Sequence, residues 1–340
     1  MSACNTTTGD KAEPAKAALS SSKIDGFAVP AWKKGQFRLP EYVKCLANIR
    51  SLGANYISIH STFYQDTSRG TVIYDDNLKG GSSPDIEEQR LGVQLAHKAG
   101  LKVILKPHVN LRTGEGWRGD IGKGMTPEDV DAWFVSYDAL IVAHARMAQE
   151  EGVEMFGVGT ELVTMDQYDS QWRNTVAKVR EVYKGPVVYC ANHEAENAIT
   201  WWDAVDYIGI DAYYKVSDKE NPTVEELIEG WKPWVDSLAA LSKKEGKQVI
   251  FTELGYTPVL GTAIDPPSWE LTGATDMQAQ YNCYEAFFKA VYNQPWFDGV
   301  IFWAWRIVPT DHQNNLRDFT PEGKPAGDLA RQWFTGEVTE

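Results

Sequence analysis

Short apolar runs alternate with amphipathic, helix-like stretches along almost the whole chain. The runs are rich in β-branched and aromatic residues, which is typical of buried parallel strands. We interpret as strands Ile24–Ala28, Tyr56–His60, Val103–His108, Met155–Thr160, Val187–Ala191, Tyr207–Asp211, Val249–Thr252 and Val300–Trp303. The helical segments are Pro40–Ser51, Asp85–Lys98, Pro127–Glu150, Ser170–Tyr183, Glu196–Trp202, Val224–Lys244, Met277–Tyr292 and Asp328–Phe334. Eight such alternations predict an α/β protein that forms a single (β/α)8 TIM barrel.

Residues at the helix ends support this division. Thr126 and Thr223 precede acidic residues at the start of helical segments, as N-caps do. Gly100 and Gly152 stand just beyond helical segments, where C-caps favour glycine. The alternative architecture is a doubly wound sheet, but no GxGxxG follows the first strand and no phosphate-binding P-loop sequence occurs.

The composition limits the partners of such a barrel. The chain has 340 residues and a formal net charge of −14. Nucleic acid and anionic membranes bind clustered Lys and Arg, so neither is an expected partner. The chain also contains 13 Trp and 15 Tyr, and aromatic faces stack on the C–H faces of sugar rings. This favours a carbohydrate ligand, with simple filling of the core as the alternative for any one Trp.

The N-terminal residues differ from the rest of the chain. Residues 1–22 are rich in Ser, Thr, Ala and Lys, so we expect a disordered tether before a catalytic domain that spans residues 23–340. Ser2-Ala3-Cys4 resembles the end of a bacterial lipoprotein signal whose apolar segment lies outside this chain. It predicts a lipid on Cys4 and an exported protein, periplasmic or at the cell surface; an arbitrary polar terminus is the alternative.

Other cysteines and apolar runs give no further signal. Cys45, Cys190 and Cys283 have no paired spacing, so neither a disulfide framework nor a metal site is predicted. No run of apolar residues is long enough to span a membrane.

Two glutamates end apolar runs and are the candidate catalytic residues. Glu161 follows Met155–Thr160, and Glu253 follows Val249–Thr252. Their separation corresponds to three βα units, which places them on strands four and seven, facing each other across the barrel. Active sites of TIM barrels lie at the carboxyl ends of the strands. Cleavage of a glycosidic bond requires at least two carboxylates there. A single Glu at the end of a strand could equally have a structural role, as a helix cap or an ion-pair partner.

The remaining strand ends carry polar and aromatic side chains. Such a mixture suits a sugar site, because hydroxyl groups need donors and acceptors while ring faces need aromatic plates. The candidate substrate-binding residues are Trp32, Tyr64, His108, Asn110, Trp117, Arg118, Asn192, Tyr213, Trp303 and Trp305. Trp305 either points into the cleft or belongs to the core.

The pattern resembles the clan of retaining barrel glycosidases, with a glutamate after strand four, another after strand seven and a tryptophan at the end of strand eight. Most clan members carry Asn before the strand-four glutamate, and here this residue is Thr160. With Pro107-His108-Val109, Trp117-Arg118 and Phe251-Thr252-Glu253, this departure is more similar to glycoside hydrolase family 113, the β-mannanases. The resemblance covers roughly residues 24 to 334.

The resemblance implies a role for each residue. Glu161 would be the acid/base and Glu253 the nucleophile of a double displacement, with carboxyl groups about 5–5.5 Å apart and a raised pKa at Glu161. Tyr213 would hydrogen-bond the nucleophile. Trp303 would form the floor of the subsite that holds the cleaved sugar. Arg118 or His108 would add positive potential nearby.

Three alternatives stay open. The substrate is β-mannan, glucomannan or manno-oligosaccharide on this reading, and another β-linked polymer such as β-glucan or xylan is the first alternative. A non-catalytic, lipid-anchored glycan-binding barrel is the second. A metal-dependent amidohydrolase is disfavoured, because strand one lacks the His pattern that such enzymes present. We expect a monomer without metal or cofactor.

Overall fold

Eight parallel strands close into a barrel in sequence order, and β1 pairs with both β2 and β8. The computed structural model describes residues 23–75, 83–112, 116–308 and 316–338. The strands are β1 (Ile24–Pro30), β2 (Tyr56–Gln65), β3 (Lys102–Leu111), β4 (Met155–Thr160), β5 (Val187–Asn192), β6 (Tyr207–Asp211), β7 (Val249–Leu254) and β8 (Phe297–Phe302). The TIM barrel predicted from the sequence is confirmed.

Helices follow most strands and surround the barrel. They are α1 (Pro40–Ser51), α2 (Ile86–Lys98), α3 (Pro127–Glu151), α4 (Asp169–Val182), α5 (Val224–Glu245), α6 (Met277–Phe287) and α7 (Pro325–Thr335). Between β5 and β6 the predicted helical stretch Glu196–Trp202 is instead two short 3-10 helices, Glu196–Ala198 and Trp202–Ala204. The last turn predicted for the helix before β8 is a π-helix, Phe288–Tyr292.

Capping hydrogen bonds stabilise the N-terminal ends of two predicted helices, α3 and α5. The Thr126 side chain accepts a hydrogen bond from the backbone N–H of Asp129, and the Thr126 N–H donates one to the Asp129 carboxylate. Thr223 and Glu226 form the same reciprocal pair at α5. Each reciprocal pair is a capping box, and it satisfies two backbone N–H donors that the first helical turn would leave unpaired.

The core has two parts. A large cluster fills the space between barrel and helices, and Phe27, Leu105 and Phe251 belong to it. A smaller cluster, which includes Ala28, Ile104 and Ile250, contains the strand residues that alternate with them. Strand side chains alternate between the two faces of a sheet, so the smaller cluster fills the barrel interior and leaves the carboxyl ends of the strands for polar groups.

Three other predictions from the sequence concern the cysteines, a membrane-spanning segment and the N-terminal residues. Cys45, Cys190 and Cys283 are buried free thiols. Among the described residues, no helix is long and apolar enough to cross a membrane. The predicted tether and Cys4 lie outside the described residues.

Candidate active site

Two glutamates reach the same cavity from opposite sides of the barrel. Glu161 directly follows β4 with a left-handed backbone, φ 51°, and its N–H donates to the carbonyl of Cys190 on β5 at 2.9 Å. Such a conformation costs about 1–3 kcal/mol in a non-glycine residue and persists where the surroundings fix it. Glu253 lies near the end of β7. Both side chains line a cavity of about 290 Å³.

Glu253 is held at both carboxylate oxygens. The Lys106 ammonium donates to Oε1 at 2.6 Å, and the Tyr213 hydroxyl donates to Oε2 at 2.9 Å. His108 Nε2 lies farther off, 3.9 Å from Oε1. Two donors, one on β3 and one just beyond β6, fix the orientation of the carboxylate, as a nucleophile requires.

Lys106 also binds a second buried carboxylate, Asp211 at the end of β6. Its Nζ donates to Oδ1 at 2.8 Å and to Oδ2 at 3.0 Å, and the Thr252 hydroxyl donates to Oδ1 at 2.8 Å. Burial works against the charge of Lys106, but the carboxylates of Asp211 and Glu253 outweigh it and raise its pKa. Burial and the charge of Glu253 raise the pKa of Asp211 well above its usual range, opposed by Lys106.

Glu161 has a different environment. Burial is the main cause that raises its pKa, and the charge of Glu253 acts in the same direction. Arg118, Lys106 and a hydrogen bond from Trp117 oppose this shift, with Arg118 Nη1 3.7 Å from Glu161 Oε2. A carboxyl group that stays protonated at a higher pH than usual is suited to act as a general acid.

Arg118, the cation near Glu161, belongs to a short 3-10 helix that follows β3, Arg118–Asp120. The preceding Trp117 lies against the backbone of Gly119, where an added Cβ would come within 2.0 Å of the indole ring. Glycine therefore lets the ring take this position at the edge of the cavity. Trp117 remains 42% exposed, so its outer part is available to a ligand.

A chain of hydrogen bonds runs from Arg118 into the barrel. Arg118 Nη1 donates to His108 Nδ1 at 2.8 Å, so His108 carries its proton on Nε2, which lies 3.0 Å from His60 Nδ1. His60 Nε2 in turn contacts the Ser58 hydroxyl. Burial, followed by nearby positive charge, lowers the pKa of both histidines well below the usual value. Both imidazoles are therefore neutral and serve to position Arg118.

His60, His108 and Glu253 also bring three potential ligand atoms within 4.8 Å of one another. Both nitrogens of His108 already take part in hydrogen bonds, and Glu253 Oε1 accepts from Lys106. A divalent cation would meet the charges of Lys106 and Arg118 at close range. These three side chains are therefore better suited to their hydrogen bonds than to binding a metal ion.

Aromatic side chains line the rest of the cleft. A second cavity of about 260 Å³ shares His108, Arg118, Trp269 and Trp303 with the first, so the two adjoin. Trp303 packs edge-on against Trp32, with ring centroids 6.4 Å apart. The Arg306 guanidinium lies over Trp32 and Trp269 at 4.4 and 4.8 Å.

The cleft contains most of the candidate binding residues. Those that line one or both cavities are Trp32, His108, Asn110, Trp117, Arg118, Tyr213 and Trp303.

Three candidates line neither of these two cavities. Trp305 is in the core, 2% exposed, with its ring 5.2 Å from that of Phe27. Tyr64 lies outside both cavities and packs beneath the Arg112 guanidinium, 5.6 Å from its ring centroid. Asn192 also lies outside them, and its amide donates to the carbonyl of His193 at 2.7 Å.

The sequence interpretation missed three residues of the site. Lys106 and Asp211 belong to the polar ends of strands three and six but are not among the candidate site residues, and Trp269 is not singled out. A lysine within the apolar run Val103–His108 was the available signal, because a buried lysine requires a carboxylate partner. For Trp269, in a loop without a pattern, the sequence offers no comparable signal.

A parallel barrel with paired carboxylates at its carboxyl end, inside an aromatic cleft, defines the class of barrel glycosidases. The profile of Glycoside Hydrolase Family 113 matches residues 27–324, so the chain belongs to this family. The resemblance inferred from the sequence is confirmed. A search of curated proteins finds no match.

Solved structures of the same family are similar over nearly the whole chain. A GH113 β-1,4-mannanase matches with a TM-score of 0.83 and 29% identity, covering 93% of this chain and 99% of that one. A complex of a GH113 β-1,4-mannanase gives 0.82 and 28%, with coverage of 93% and 99%. The GH113 β-mannanase AaManA from Alicyclobacillus acidocaldarius, in complex with ManMIm, gives 0.81 and 29%, with coverage of 95% and 100%.

Proposed function

We propose that this glycoside hydrolase cleaves β-1,4-mannosidic linkages in mannan, glucomannan or manno-oligosaccharides with retention of anomeric configuration. One observation carries the proposal: Glu161 and Glu253 line the same cavity in contrasting environments. Glu253 is fixed at both oxygens by Lys106 and Tyr213, whereas burial raises the pKa of Glu161. The first arrangement suits a nucleophile and the second a proton donor.

In the first step, a Glu253 oxygen attacks the anomeric carbon and forms an ester bond. The bond from that carbon to the leaving oxygen breaks, its electron pair stays on the oxygen, and Glu161 gives this oxygen its proton. In the second step, water attacks the anomeric carbon and its proton passes to Glu161. The ester bond breaks with its electron pair returning to Glu253, so both carboxyl groups regain their starting states.

The choice of mannan is supported by the relatives. Two of the similar GH113 structures are β-1,4-mannanases and the third is a β-mannanase, and each is covered almost completely by this chain. The aromatic rings of Trp117, Trp269 and Trp303 around the catalytic cavity provide plates for successive pyranose rings. Xylan or β-glucan would use the same carboxylates, so substrate preference has to be measured.

The test is release of reducing sugar from glucomannan, xylan and barley β-glucan at equal concentrations, with Glu253→Gln as the inactive control. We expect preference for glucomannan and, by proton NMR, a β-anomer as the first product. Faster release from xylan or β-glucan would support the alternative substrate. Binding of glucomannan without turnover by the wild-type protein would support the non-catalytic barrel, and a first product of α configuration would refute retention.

We further propose that the protein is a monomer anchored through a lipid on Cys4. The support for the lipid is the Ser2-Ala3-Cys4 sequence, which resembles the end of a lipoprotein signal. Mass spectrometry of the N-terminal peptide, after expression of the protein behind a lipoprotein export signal, tests the lipid, and Cys4→Ser should release the protein from membranes. Sedimentation analysis tests the monomer, and a dimer at micromolar concentration would contradict it.

A further inference from the structure

Lys106 is completely engaged by carboxylates at the base of the active site. Its ammonium has three N–H donors, and its contacts are Glu253 Oε1 at 2.6 Å and the two oxygens of Asp211 at 2.8 and 3.0 Å. Lys106 and Asp211 are fully buried. The ammonium therefore has no donor left for substrate, and its effect on the reaction passes through Glu253.

The partner set of Lys106 changes during the reaction. In the free enzyme, Glu253 is an anion that accepts from Lys106. When Glu253 forms the ester bond to the sugar, its negative charge is lost, and the proton transfer to the leaving oxygen places a negative charge on Glu161 instead. Lys106 then has one anionic neighbour fewer, and a buried ammonium without a partner is strongly unfavourable.

We propose that Asp211 is a positioning residue that keeps Lys106 paired while Glu253 is esterified, so that the covalent intermediate contains no unpaired buried cation. The proposal deepens the proposed function and rests on its double displacement. Both Asp211 oxygens already bind Lys106, and Thr252 donates to one of them. No side chain has to move for the pairing to persist.

The electrostatics of Asp211 fit this role. Burial raises its pKa, and the second cause in the same direction is the charge of Glu253. Esterification removes that charge, so Asp211 becomes a better anion at the stage when Lys106 depends on it alone. After the ester is hydrolysed, the two carboxylates again share Lys106.

Loss of the Asp211 charge should therefore affect the two chemical steps differently. In Asp211→Asn, formation of the ester would leave Lys106 without an anion and become slower. Hydrolysis of the ester would restore the Glu253–Lys106 pair and would not become slower. A general structural defect in the site would slow both steps, because both use the same residues and the same transition-state geometry.

The experiment measures the two steps separately on the full chain. A 2-deoxy-2-fluoro-β-mannobiosyl fluoride inactivates a retaining enzyme by forming the ester, and removal of excess reagent lets activity return as the ester is hydrolysed. For Asp211→Asn we expect inactivation slower by about 10²-fold or more and reactivation at least as fast as in wild type. Equal slowing of both rates, or no slowing of inactivation, would overturn the proposal.

A matched control is available at the opposite end of the barrel. Asp25 on β1 is also a buried strand carboxylate, and it accepts from the Tyr292 hydroxyl at 2.9 Å, but it is not a partner of Lys106. Asp25→Asn should leave both rates near wild type. If the wild-type protein itself forms no covalent adduct on Glu253, the double displacement of the proposed function fails, and this result is distinct from a failure of the Asp211 assignment.

Two further variants test the pairing, and the second of them, Thr252→Val, serves where Asp211→Asn does not fold. The double variant Lys106→Gln, Asp211→Asn contains no buried cation, so esterification of Glu253 leaves nothing unpaired. We expect its inactivation to be at least tenfold faster than that of Asp211→Asn where both fold. Thr252→Val, which removes one donor to Asp211, should slow inactivation by about threefold and leave reactivation unchanged; slowing of reactivation alone would contradict the proposal.

Discussion

Trp303 and Trp305 allow a paired test of how the end of β8 builds the cleft. Trp303 lines both cavities, whereas Trp305 is buried in the core against Phe27. The two residues lie two positions apart, but their backbone N–H groups bond in opposite directions, to Leu254 on β7 and to Ala28 on β1. Truncation of each to alanine should therefore produce opposite effects on catalysis and on stability.

The magnitudes follow from burial. Trp305 is 2% exposed, and truncation of a buried tryptophan costs about 3–5 kcal/mol. At about 2–4 °C per kcal/mol for domains of moderate size, we expect the Tm of Trp305→Ala to fall by roughly 6–20 °C, with kcat/KM of the folded protein close to wild type. Trp303→Ala removes a plate of the sugar site, so we expect kcat/KM to fall by about 10²-fold, or ~3 kcal/mol.

The assay measures both quantities on both variants. Thermal unfolding gives the Tm, and initial rates on manno-oligosaccharides below saturation, at a temperature where each variant is folded, give kcat/KM. A Trp303→Ala protein that is destabilised but kinetically normal would refute the assignment of Trp303 to the cleft. A Trp305→Ala protein that is stable but slow would refute the assignment of Trp305 to the core.

Three further predictions concern carboxyl groups. Glu253→Gln keeps the shape of the side chain but cannot attack the anomeric carbon, so kcat on mannan should fall by several orders of magnitude; a remaining kcat above about a tenth of wild type would contradict its role as nucleophile. Glu161→Ala should still cleave dinitrophenyl β-mannosides, whose leaving group needs no proton, and added azide should give a β-mannosyl azide; an α-azide would contradict retention. Burial raises the pKa of Asp25 from 3.8 to about 6, so the folded protein binds its proton more tightly than the unfolded chain. The free energy of unfolding should therefore fall by about 3 kcal/mol as pH rises from about 3 to 7. Denaturant unfolding of Asp25→Asn over this interval should lack that contribution, and identical pH slopes in both proteins would contradict the shift.

The sequence predicts the barrel well because its strands are apolar and its helices begin and end at recognisable capping residues. The bounds of β4, β6 and α1 agree with the predicted ones. The strands β2 and β3 were predicted to end at His60 and His108, but they continue to Gln65 and Leu111 and pair over ten residues. Polar residues in these extensions interrupt the apolar pattern, and two of them, Thr62 and Asn110, line the second cavity.

The site is less accessible to sequence reasoning than the fold. Glu161 and Glu253 stand out because each ends an apolar run. The contact between Lys106 and Asp211 joins residues 105 positions apart, and only the closed barrel brings them together. Trp305 was ambiguous for a related reason: β8 ends at Phe302, so the alternation of side chains along a strand gives no rule for the residues beyond it.

The position of Glu161 explains how one carboxyl group can act first as an acid and then as a base. Burial raises its pKa in every state, and the charge of Glu253 adds to this only while Glu253 is an anion. Formation of the ester removes that charge, while Arg118 and Lys106 remain to lower the pKa of Glu161. Glu161 is thus a weaker acid before the leaving group departs and a better-stabilised carboxylate when water must be activated. The same electrostatic coupling that makes Glu161 a proton donor in the first step makes it a carboxylate in the second, with no rearrangement of the barrel.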